Sequence, residues 1–194
     1  MTRTFRTSRT HLRKAIYAAA TLATASLALH ASPALADNER VAALFHNMAE
    51  PFFVFMNRVL QDEAKKLKVK LSVVDGQASS PKQSSDVPVA ITQGVDGIII
   101  APTDARAMTP ALNEVLADKI PVVTVDRRDG GAKSPIPHVG ADNVAGGRMM
   151  AEWVVKNFPA GANIVFLTGQ PGSSSGIGRA NGDNRIAIIV PCHR

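Results

Sequence analysis

Charged, polar and aromatic residues follow five predicted strands, at the point where each strand ends. They are Glu50 with Phe52 and Phe53, Asp75 to Gln77, Thr103 with Asp104, Asp126 with Arg127, and Arg179 further along. Carboxylate and guanidinium groups fix hydroxyl groups through charge-assisted hydrogen bonds, and an aromatic face covers the apolar side of a sugar ring. Ligands of open α/β sheets bind beyond the carboxyl ends of the strands, so we expect these side chains to meet there. The set predicts a binding site for a small polyol.

Each member of this set also has an interpretation that involves no ligand. Polar residues are common in loops after strands, so any single one is more often part of a solvated turn. The Phe52–Phe53 pair can contribute one or both rings to the core. Asp126 and Arg127 can form a local ion pair of little energetic value. The functional prediction therefore depends on the clustering of these residues rather than on any one of them.

The Gly- and Ser-rich stretch from Gly169 to Gly178 does not match a phosphate-binding loop. No Gly-Lys-Ser or Gly-Lys-Thr follows it, and Asn181 stands where the dinucleotide-binding pattern needs glycine. We interpret it as a flexible loop that leads to Arg179. No cluster of His, Cys and acidic residues has the spacing of a metal site, and no Ser-His-Asp set can be argued from position. We predict no metal, no cofactor and no enzymatic activity.

Buried strands and amphipathic helices alternate along the chain. Residues 122–125, Val-Val-Thr-Val, favour a parallel strand covered by helices on both faces, and Pro121 stands at its entry. Similar patterns predict strands at 41–45, 69–73, 97–100 and 163–168, with 69–73 near a sheet edge. Helices are predicted at 52–67, at 81–93, from Thr109, and from Asp142 to Phe158. This alternation predicts an α/β fold with a doubly wound parallel sheet.

Three local expectations concern the first three of these helices. The first helix should bury one face, made of Phe52, Met56, Val59, Leu60, Ala64 and Leu67. The second offers Val87, Val89, Ala90 and Ile91 as its buried face. Pro88 in its interior predicts a kink or a late start, because proline removes a hydrogen bond and clashes with the preceding turn. In the third, Thr109 is able to cap the helix before Pro110.

The first 36 residues have the features of a cleavable secretory signal peptide. Five basic residues and no acidic residue precede an apolar segment from Ala15 to Leu29, and Ala34-Leu35-Ala36 fits a cleavage site. The alternative is an anchoring helix, for which the apolar segment is short. The formal net charge of the whole chain is +6, and these five bases account for most of it. The rest of the chain has 17 Lys and Arg against 16 Asp and Glu. Residues 37–194 thus give no reason to predict nucleic-acid binding. The single cysteine, Cys192, excludes an internal disulfide.

Several longer motifs resemble those of the ribose-binding-like periplasmic sugar-binding proteins of ABC importers, the type 1 periplasmic binding proteins. The motifs are Glu50-Pro-Phe-Phe53, residues 93–104, residues 120–127, residues 138–147 and residues 169–175, in the order of that family. The resemblance covers about residues 39–182. It implies a two-lobed protein that closes on a sugar by hinge motion. It also implies a signal peptide at 1–36, a nearly complete first lobe at 37–137 and the start of a truncated second lobe at 138–182.

The same resemblance implies roles for the residues at the strand ends. Phe52 and Phe53 would stack on the sugar, Asp126 and Arg127 would hold its hydroxyls, and Arg179 would reach in from the second lobe. Glu50 differs from the asparagine usual before Pro-Phe-Phe, which leaves the identity of the sugar open. The implied protein is a monomer in the periplasm that binds a ribose-like monosaccharide and delivers it to the membrane subunits of an ABC importer.

The last residues, 183–194, do not continue this pattern. Their Pro191-Cys-His-Arg194 resembles the active-site segment of the O6-alkylguanine-DNA alkyltransferases. That resemblance implies a thiolate at Cys192, activated by His193, that would accept an alkyl group from a flipped base. DNA alkyl repair is therefore the alternative function. A fused reading frame with an inert tail, or a reading-frame or assembly error, is the alternative that involves no repair.

Overall fold

The computed structural model describes residues 39–165, 167 and 169–183. Its strands are β1 (Arg40–Phe45), β2 (Lys70–Asp75), β3 (Gly97–Ile100), β4 (Val122–Val125) and β5 (His138–Val139). Its helices are α1 (Pro51–Leu67), α2 (Ser80–Thr92), α3 (Thr109–Ala117), α4 (Asn143–Asn157) and α5 (Ser174–Asp183). The strands form one sheet in the order β2-β1-β3-β4-β5, and every neighbouring pair is parallel.

Alternate residues of β1 pack on opposite faces of this sheet. Ala42 and Leu44 belong to one core cluster, to which α2 and α3 contribute Val87, Leu112 and Val115. Ala43 and Phe45 belong to a second cluster with Phe53 of α1. A strand buried on both faces needs apolar residues at every position, which explains the continuous apolar sequence of β1. The predicted α/β fold with a doubly wound parallel sheet is confirmed, and β2 lies at the sheet edge as expected.

The buried face of α1 differs in part from the predicted one, since Met56 and Leu60 pack against the core as predicted but other members do not. Phe53 is 1% exposed and Ala64 is also buried, whereas Phe52 is 51% exposed. Val59 and Leu67, also predicted to be buried, are exposed. Both stripes have helical spacing, so periodicity could not distinguish them. The packing of Phe53 against Phe45, with ring centroids 5.6 Å apart, fixes the rotation of the helix.

The starts of α2 and α3 correct two further expectations. The Ser79 side chain accepts a hydrogen bond from the Lys82 N–H at 3.3 Å, so α2 begins at Ser80 and a late start is wrong. Pro88 lies inside the helix, and Val89 is exposed although it was predicted to be buried. In α3 the Thr109 hydroxyl donates to the Ala105 carbonyl at 3.3 Å rather than capping the helix.

The region after β5 departs most from the sequence prediction. Residues 163–165 and 167, predicted as part of a buried strand, form no strand, and Val165 is 88% exposed. A strand needs a paired neighbour to satisfy its backbone, and the described residues offer none beside this segment. Helix α5 occupies the second half of the stretch that we interpreted as a flexible loop, residues 174–178. The predicted helix from Asp142 is confirmed, and the Asp142 side chain accepts from the Ala145 N–H at 2.9 Å.

Two sequence predictions lie outside the described residues. They are the signal peptide at residues 1–36 and the alkyltransferase-like segment with Cys192 and His193. Among the described helices, none has the length and apolar character needed to cross a membrane. The division between residues 137 and 138 stays a prediction, although β5, which begins at His138, pairs with β4 in the same sheet.

Gln83 of α2 connects the carboxyl ends of β1 and β3. Its side chain is fully buried, and its Nε2 donates to the Leu44 carbonyl at 3.3 Å and to the Ala101 carbonyl at 3.0 Å. Its Oε1 accepts from the Thr103 N–H at 2.8 Å. Three backbone groups at the strand ends thus have a side-chain partner in a place that water does not reach.

Replacement of Gln83 by leucine tests this connection. Because Gln83→Leu keeps the side-chain size but removes the partner of the Thr103 N–H and of the Ala101 carbonyl, while the Leu44 carbonyl keeps the Ala101 N–H as a donor, we expect the free energy of unfolding to fall by about 2–5 kcal/mol. Urea denaturation followed by circular dichroism measures the change. Gln93→Leu, at an exposed position at the end of α2, is the matched control and should change stability little. Equal stability of the two variants would contradict the proposed role of Gln83.

Candidate functional site

The carboxyl ends of β1, β3 and β4 lie side by side because the strands are parallel neighbours. His46 follows β1, Thr103 follows β3, and Asp126 with Arg127 follows β4. His46 and Thr103 are each 1% exposed, and Arg127 is 8% exposed. The carboxyl ends of these strands therefore combine buried polar groups with the apolar core beneath them. Buried polar groups need specific hydrogen-bond partners.

Asp126 stands at a tight turn in the left-handed backbone region, with φ of 59°. The Arg127 N–H donates to the Val125 carbonyl at 2.5 Å, which closes the turn over Asp126. The Asp126 N–H donates to the Val139 carbonyl of β5 at 2.9 Å. The Asp126 carbonyl accepts from the Ser175 hydroxyl at 3.1 Å. Aspartate tolerates this conformation better than most residues, and strained turns of this kind are common at ligand sites.

Burial raises the pKa of the Asp126 carboxyl above its ordinary value. The guanidinium groups of Arg127 and Arg179 lower this pKa only in part, and the Glu50 carboxylate raises it further. The charged form of Asp126 is therefore held in the protein at a cost. A ligand that donates hydrogen bonds to this carboxylate would relieve part of that cost.

Arg127 makes several hydrogen bonds in addition to its ion pair with Asp126. Its Nη1 donates to the Thr103 carbonyl at 3.3 Å and to Gln170 Oε1 at 3.0 Å. Its Nε lies 3.6 Å from Asp126 Oδ2. The ion pair that we considered as an alternative is thus present, but it lies inside a network of buried contacts. The Arg127 side chain is 9% exposed and that of Asp126 is 32% exposed, so water screens this pair less than it screens a fully exposed one.

Glu50 lies at the N-cap position of α1, yet its side chain makes no capping hydrogen bond. Its Oε1 lies 3.2 Å from Nε2 of the buried His46. On its other side the His46 ring has Nδ1 at 3.4 Å from the Thr103 hydroxyl, and its edge meets the Phe53 ring at a centroid distance of 6.0 Å. His46 thus links the start of α1 to the loop after β3.

The two phenylalanines occupy different environments. Phe53 is in the core between Phe45 and His46, whereas Phe52 exposes about half of its surface and meets the Phe53 ring edge-on at 5.2 Å. Only Phe52 therefore has an accessible ring face for a ligand. The stacking roles predicted for both rings stay predictions.

Arg179 lies on α5, and its Nη1 donates to Asn143 Oδ1 at 2.8 Å. Helices α4 and α5 approach closely at Gly147 and Gly182. A Cβ at Gly147 would collide with the Arg179 backbone, and one at Gly182 would collide with the Val144 carbonyl. The absence of side chains at these two glycines lets α5 lie against the start of α4, and this contact positions Arg179.

The segment before α5 is attached to the strand ends by hydrogen bonds. The Ala105 N–H donates to the Gly172 carbonyl at 3.0 Å, and the Arg128 N–H donates to the Ser174 hydroxyl at 2.6 Å. Together with the contacts of Gln170 and Ser175 already described, this brings residues 170–175 against β4. We did not predict these four residues as part of the site, although the Gly-Ser composition marked the loop.

Asp75 and Asp104, also in the predicted set, shape loops. One carboxylate oxygen of Asp75 accepts from the N–H groups of Met48 and Gln77, each at 2.9 Å. One oxygen of Asp104 accepts from the N–H groups of Arg106 and Ala107, each at 2.8 Å. The interpretation as turn residues therefore accounts for both.

A cleft of ≈ 100 Å³ lies beside Asp126, between β4 and the starts of α4 and α5. Arg128, Asp142, Asn143 and Ser174 contribute to its walls. This volume corresponds to about three water molecules. In the described residues, no group of three or more His, Cys, Asp and Glu side chains is arranged to hold a metal ion.

A family model described as a periplasmic binding protein domain matches residues 41–186. The ribose import binding protein of Bacillus subtilis (strain 168) is 41% identical over 137 residues, which are 71% of this chain and 45% of that protein. The galactofuranose-binding protein of Escherichia coli (strain K12) is 37% identical over 127 residues, which are 64% of this chain and 40% of that protein. The chain thus spans about half the length of these relatives.

Solved structures give the same picture. The Caulobacter myo-inositol binding protein, bound to myo-inositol, is 49% identical with a TM-score of 0.72, and the match covers 75% of this chain and 49% of that one. The periplasmic binding protein component of the arabinose ABC transporter from Shewanella sp. ANA-3, bound to L-arabinofuranose, is 29% identical with a TM-score of 0.68. That match covers 76% of this chain and 49% of that one.

The raised pKa of Asp126 predicts how Asp126→Asn changes stability with pH. At a pH between 3.8, the value for the unfolded chain, and the higher pKa of the folded protein, the folded state binds more protons than the unfolded state. The stability that Asp126 contributes is therefore fully present below pH 3.8 and is lost as the pH rises through the folded pKa. At pH 7 the ionised side chain is therefore a cost that asparagine removes, and asparagine also tolerates the positive φ. We expect Asp126→Asn to melt at the same or a higher temperature than the unsubstituted protein at pH 7, with the difference shrinking towards pH 4.

Thermal melting at a series of pH values measures this difference, and the other titrating groups cancel in the comparison. Asp62→Asn, on the exposed surface of α1 beside Lys65, is the control and should show no such trend. A lower melting temperature for Asp126→Asn at pH 7 would mean that the pairing with Arg127 outweighs burial.

Proposed function

Since the chain belongs to the family of periplasmic binding proteins, we propose that it binds a neutral monosaccharide or cyclic polyol for uptake by an ABC importer. The observation that carries this proposal is the pair Asp126 and Arg127 at the carboxyl end of β4. A partly buried carboxylate in a strained turn lies beside a guanidinium held by three contacts. Two fixed groups of opposite charge suit the hydroxyls of a ring, since a hydroxyl both donates and accepts.

Each side chain has a role that follows from its chemistry. The Asp126 carboxylate accepts hydrogen bonds from ligand hydroxyls, and the guanidinium N–H groups of Arg127 donate to ligand oxygens. The exposed ring of Phe52 covers the apolar face of the ligand, with Phe53 supporting it from the core. Arg179 contributes from α5, on the other side of the cleft. These roles make the site a binding site, and nothing in them requires a reaction.

Opening and closing of the cleft accompany binding in this proposal. In this proposal α4 and α5 move away from β4 to admit the ligand and return to enclose it. Hinge closure of this kind is a common response of two-lobed binding proteins. The hydrogen bonds of Gln170, Ser174 and Ser175 to the strand ends would form and break with this motion.

Ribose-like sugars and cyclic polyols are the first ligands to consider. The relatives and structures named above carry names that include ribose, galactofuranose, arabinose and myo-inositol. All of these ligands are neutral rings with several hydroxyls. We propose that this chain takes a ligand of the same class in the periplasm, as a monomer, after removal of a signal peptide. The ligand-loaded protein would then meet the membrane subunits of the importer.

DNA alkyl repair through Cys192 and His193 stays a prediction from the sequence alone. The family match ends at residue 186, before both residues. The relatives and structures named above are binding proteins.

Calorimetric titration of residues 37–194 with D-ribose, myo-inositol, L-arabinose and D-galactose tests the proposed function. We expect saturable binding of at least one ligand. Asp126→Ala and Phe52→Ala should each weaken it about tenfold or more, because a lost hydrogen bond to a charged group costs about 1.5–3 kcal/mol and ring burial a similar amount. The matched control is Phe55→Ala, since Phe55 is a similarly exposed ring on α1 that pairs with Arg58. Binding that is unchanged in Asp126→Ala would overturn the assignment of the site.

A further inference from the structure

We propose that the buried His46 is a positioning residue that holds the Glu50 carboxylate, and that this pair makes the cleft selective for neutral polyhydroxylated rings over anionic ones such as sugar acids and sugar phosphates. The inference rests on the proposed function and adds a specificity determinant to it. It depends on the contacts of His46, on the position of Glu50 and on the arrangement of charge around both.

The hydrogen-bond direction at His46 follows from its two partners. A carboxylate only accepts, so the Nε2 that lies 3.2 Å from Glu50 must carry the proton. In a neutral imidazole Nδ1 then accepts, and the Thr103 hydroxyl at 3.4 Å is its donor. Burial lowers the pKa of His46, as does the Arg127 charge, while Glu50 and Asp126 act in the opposite direction. The ring is thus a neutral donor to Glu50 and does not neutralise its charge.

The His46 ring has little freedom to move. It is 1% exposed, the Thr103 hydroxyl holds one nitrogen, and the Phe53 ring packs against it. A fixed donor beneath a carboxylate restricts the rotamers of that carboxylate. This matters for Glu50, whose side chain is 43% exposed and has three rotatable bonds.

Glu50 itself is free for a ligand in a way that an N-cap residue usually is not. Its backbone carbonyl accepts from the N–H groups of Phe53 and Val54, at 3.0 and 3.2 Å, so the backbone starts α1 without help from the side chain. The preferred N-cap residues, which are shorter, would turn back to cap the helix. The longer glutamate instead contacts His46 through Oε1, and its side chain makes no capping hydrogen bond to the helix.

The charged residues of the predicted ligand set differ in the number of partners they have. Arg127 already contacts Asp126, the Thr103 carbonyl and Gln170. Arg179 contacts Asn143. Glu50 has only a neutral imidazole as its partner among the contacts described, and its carboxylate is one of the groups that raise the pKa of Asp126.

Two carboxylates that accept hydrogen bonds favour a ligand that donates them and repel a ligand that carries its own negative charge. A ring with several hydroxyls meets both requirements. An amide at position 50 would remove the repulsion and add a donor, so its discrimination against anions should be weaker.

The test compares neutral and anionic rings in five proteins. The ligands are myo-inositol, D-ribose, D-glucuronate and D-ribose 5-phosphate, and calorimetry gives the dissociation constants. The proteins are the unsubstituted chain, Glu50→Gln, His46→Phe, His46→Gln and Asp126→Ala. His46→Phe keeps a ring but removes the donor, whereas His46→Gln retains an N–H close to the position of Nε2.

We expect the unsubstituted chain to bind its neutral ring at least about tenfold more tightly than either anion, and Glu50→Gln to weaken neutral binding about tenfold and reduce the preference. His46→Phe should lose part of the neutral binding and of the preference, and His46→Gln should restore both. Neutral binding that needs Asp126 but is unchanged in Glu50→Gln and His46→Phe would overturn the inference and leave the proposed function intact. Absence of binding to any ring would overturn both.

Nitrogen NMR of the His46 ring tests the pair without a ligand. We expect a neutral ring with the proton on Nε2, and a pKa that falls further in Glu50→Gln because the raising effect of the carboxylate is lost. The charged groups that act on this ring are Glu50 beside it and Asp126 and Arg127 after β4. A proton on Nδ1, or a pKa that is the same in Glu50→Gln, would contradict the contact on which the inference depends.

Discussion

Three side chains contact Thr103, and the arrangement of polar groups at the carboxyl ends of the strands depends on these contacts. The Thr103 N–H donates to Gln83, its carbonyl accepts from Arg127, and its hydroxyl contacts His46. Thr103 is buried, so each of these groups would cost free energy without its partner. Thr103 therefore connects three parts of the structure. They are α2, the loop after β1 and the turn after β4. The candidate ligand groups are attached to this frame and not to separate mobile loops.

The same frame carries features that do not favour stability. Asp126 has a left-handed backbone conformation and a carboxyl whose charged form is disfavoured by burial. Buried groups with such perturbed protonation are concentrated at functional sites, because a ligand can repay their cost. The contrast with Asp75 and Asp104 supports this view. Those two carboxylates have backbone N–H groups as partners and stabilise loops, although they also follow strands.

Helices α4 and α5 have a different character from the rest of the described chain. They pack closely on one another through Gly147 and Gly182, yet Met149, Trp153 and Leu167 in this region are largely exposed. Apolar surface of this kind commonly packs against further protein. The contacts of residues 170–175 with β4 are mainly hydrogen bonds. Hydrogen bonds of this type can exchange with water, which is compatible with a cleft that opens and closes.

The sequence by itself determined four of the five strands of the sheet, β1 to β4, their alternation with helices and the polar residues at the strand ends, but not the short β5. These features depend on local periodicity and on the length of apolar runs, which neighbouring residues define. It also marked Asp126 and Arg127, because a charged pair after an apolar strand is visible without a structure. Tertiary packing decided the rest. The contact with Phe45 selected Phe53 over Phe52 for the core, and the buried strand ends gave Gln83 and His46 their partners. Residues 163–165 and 167, inside the strand predicted at 163–168, form no strand, because a strand needs a paired neighbour distant in sequence and a linear pattern does not show whether one is present.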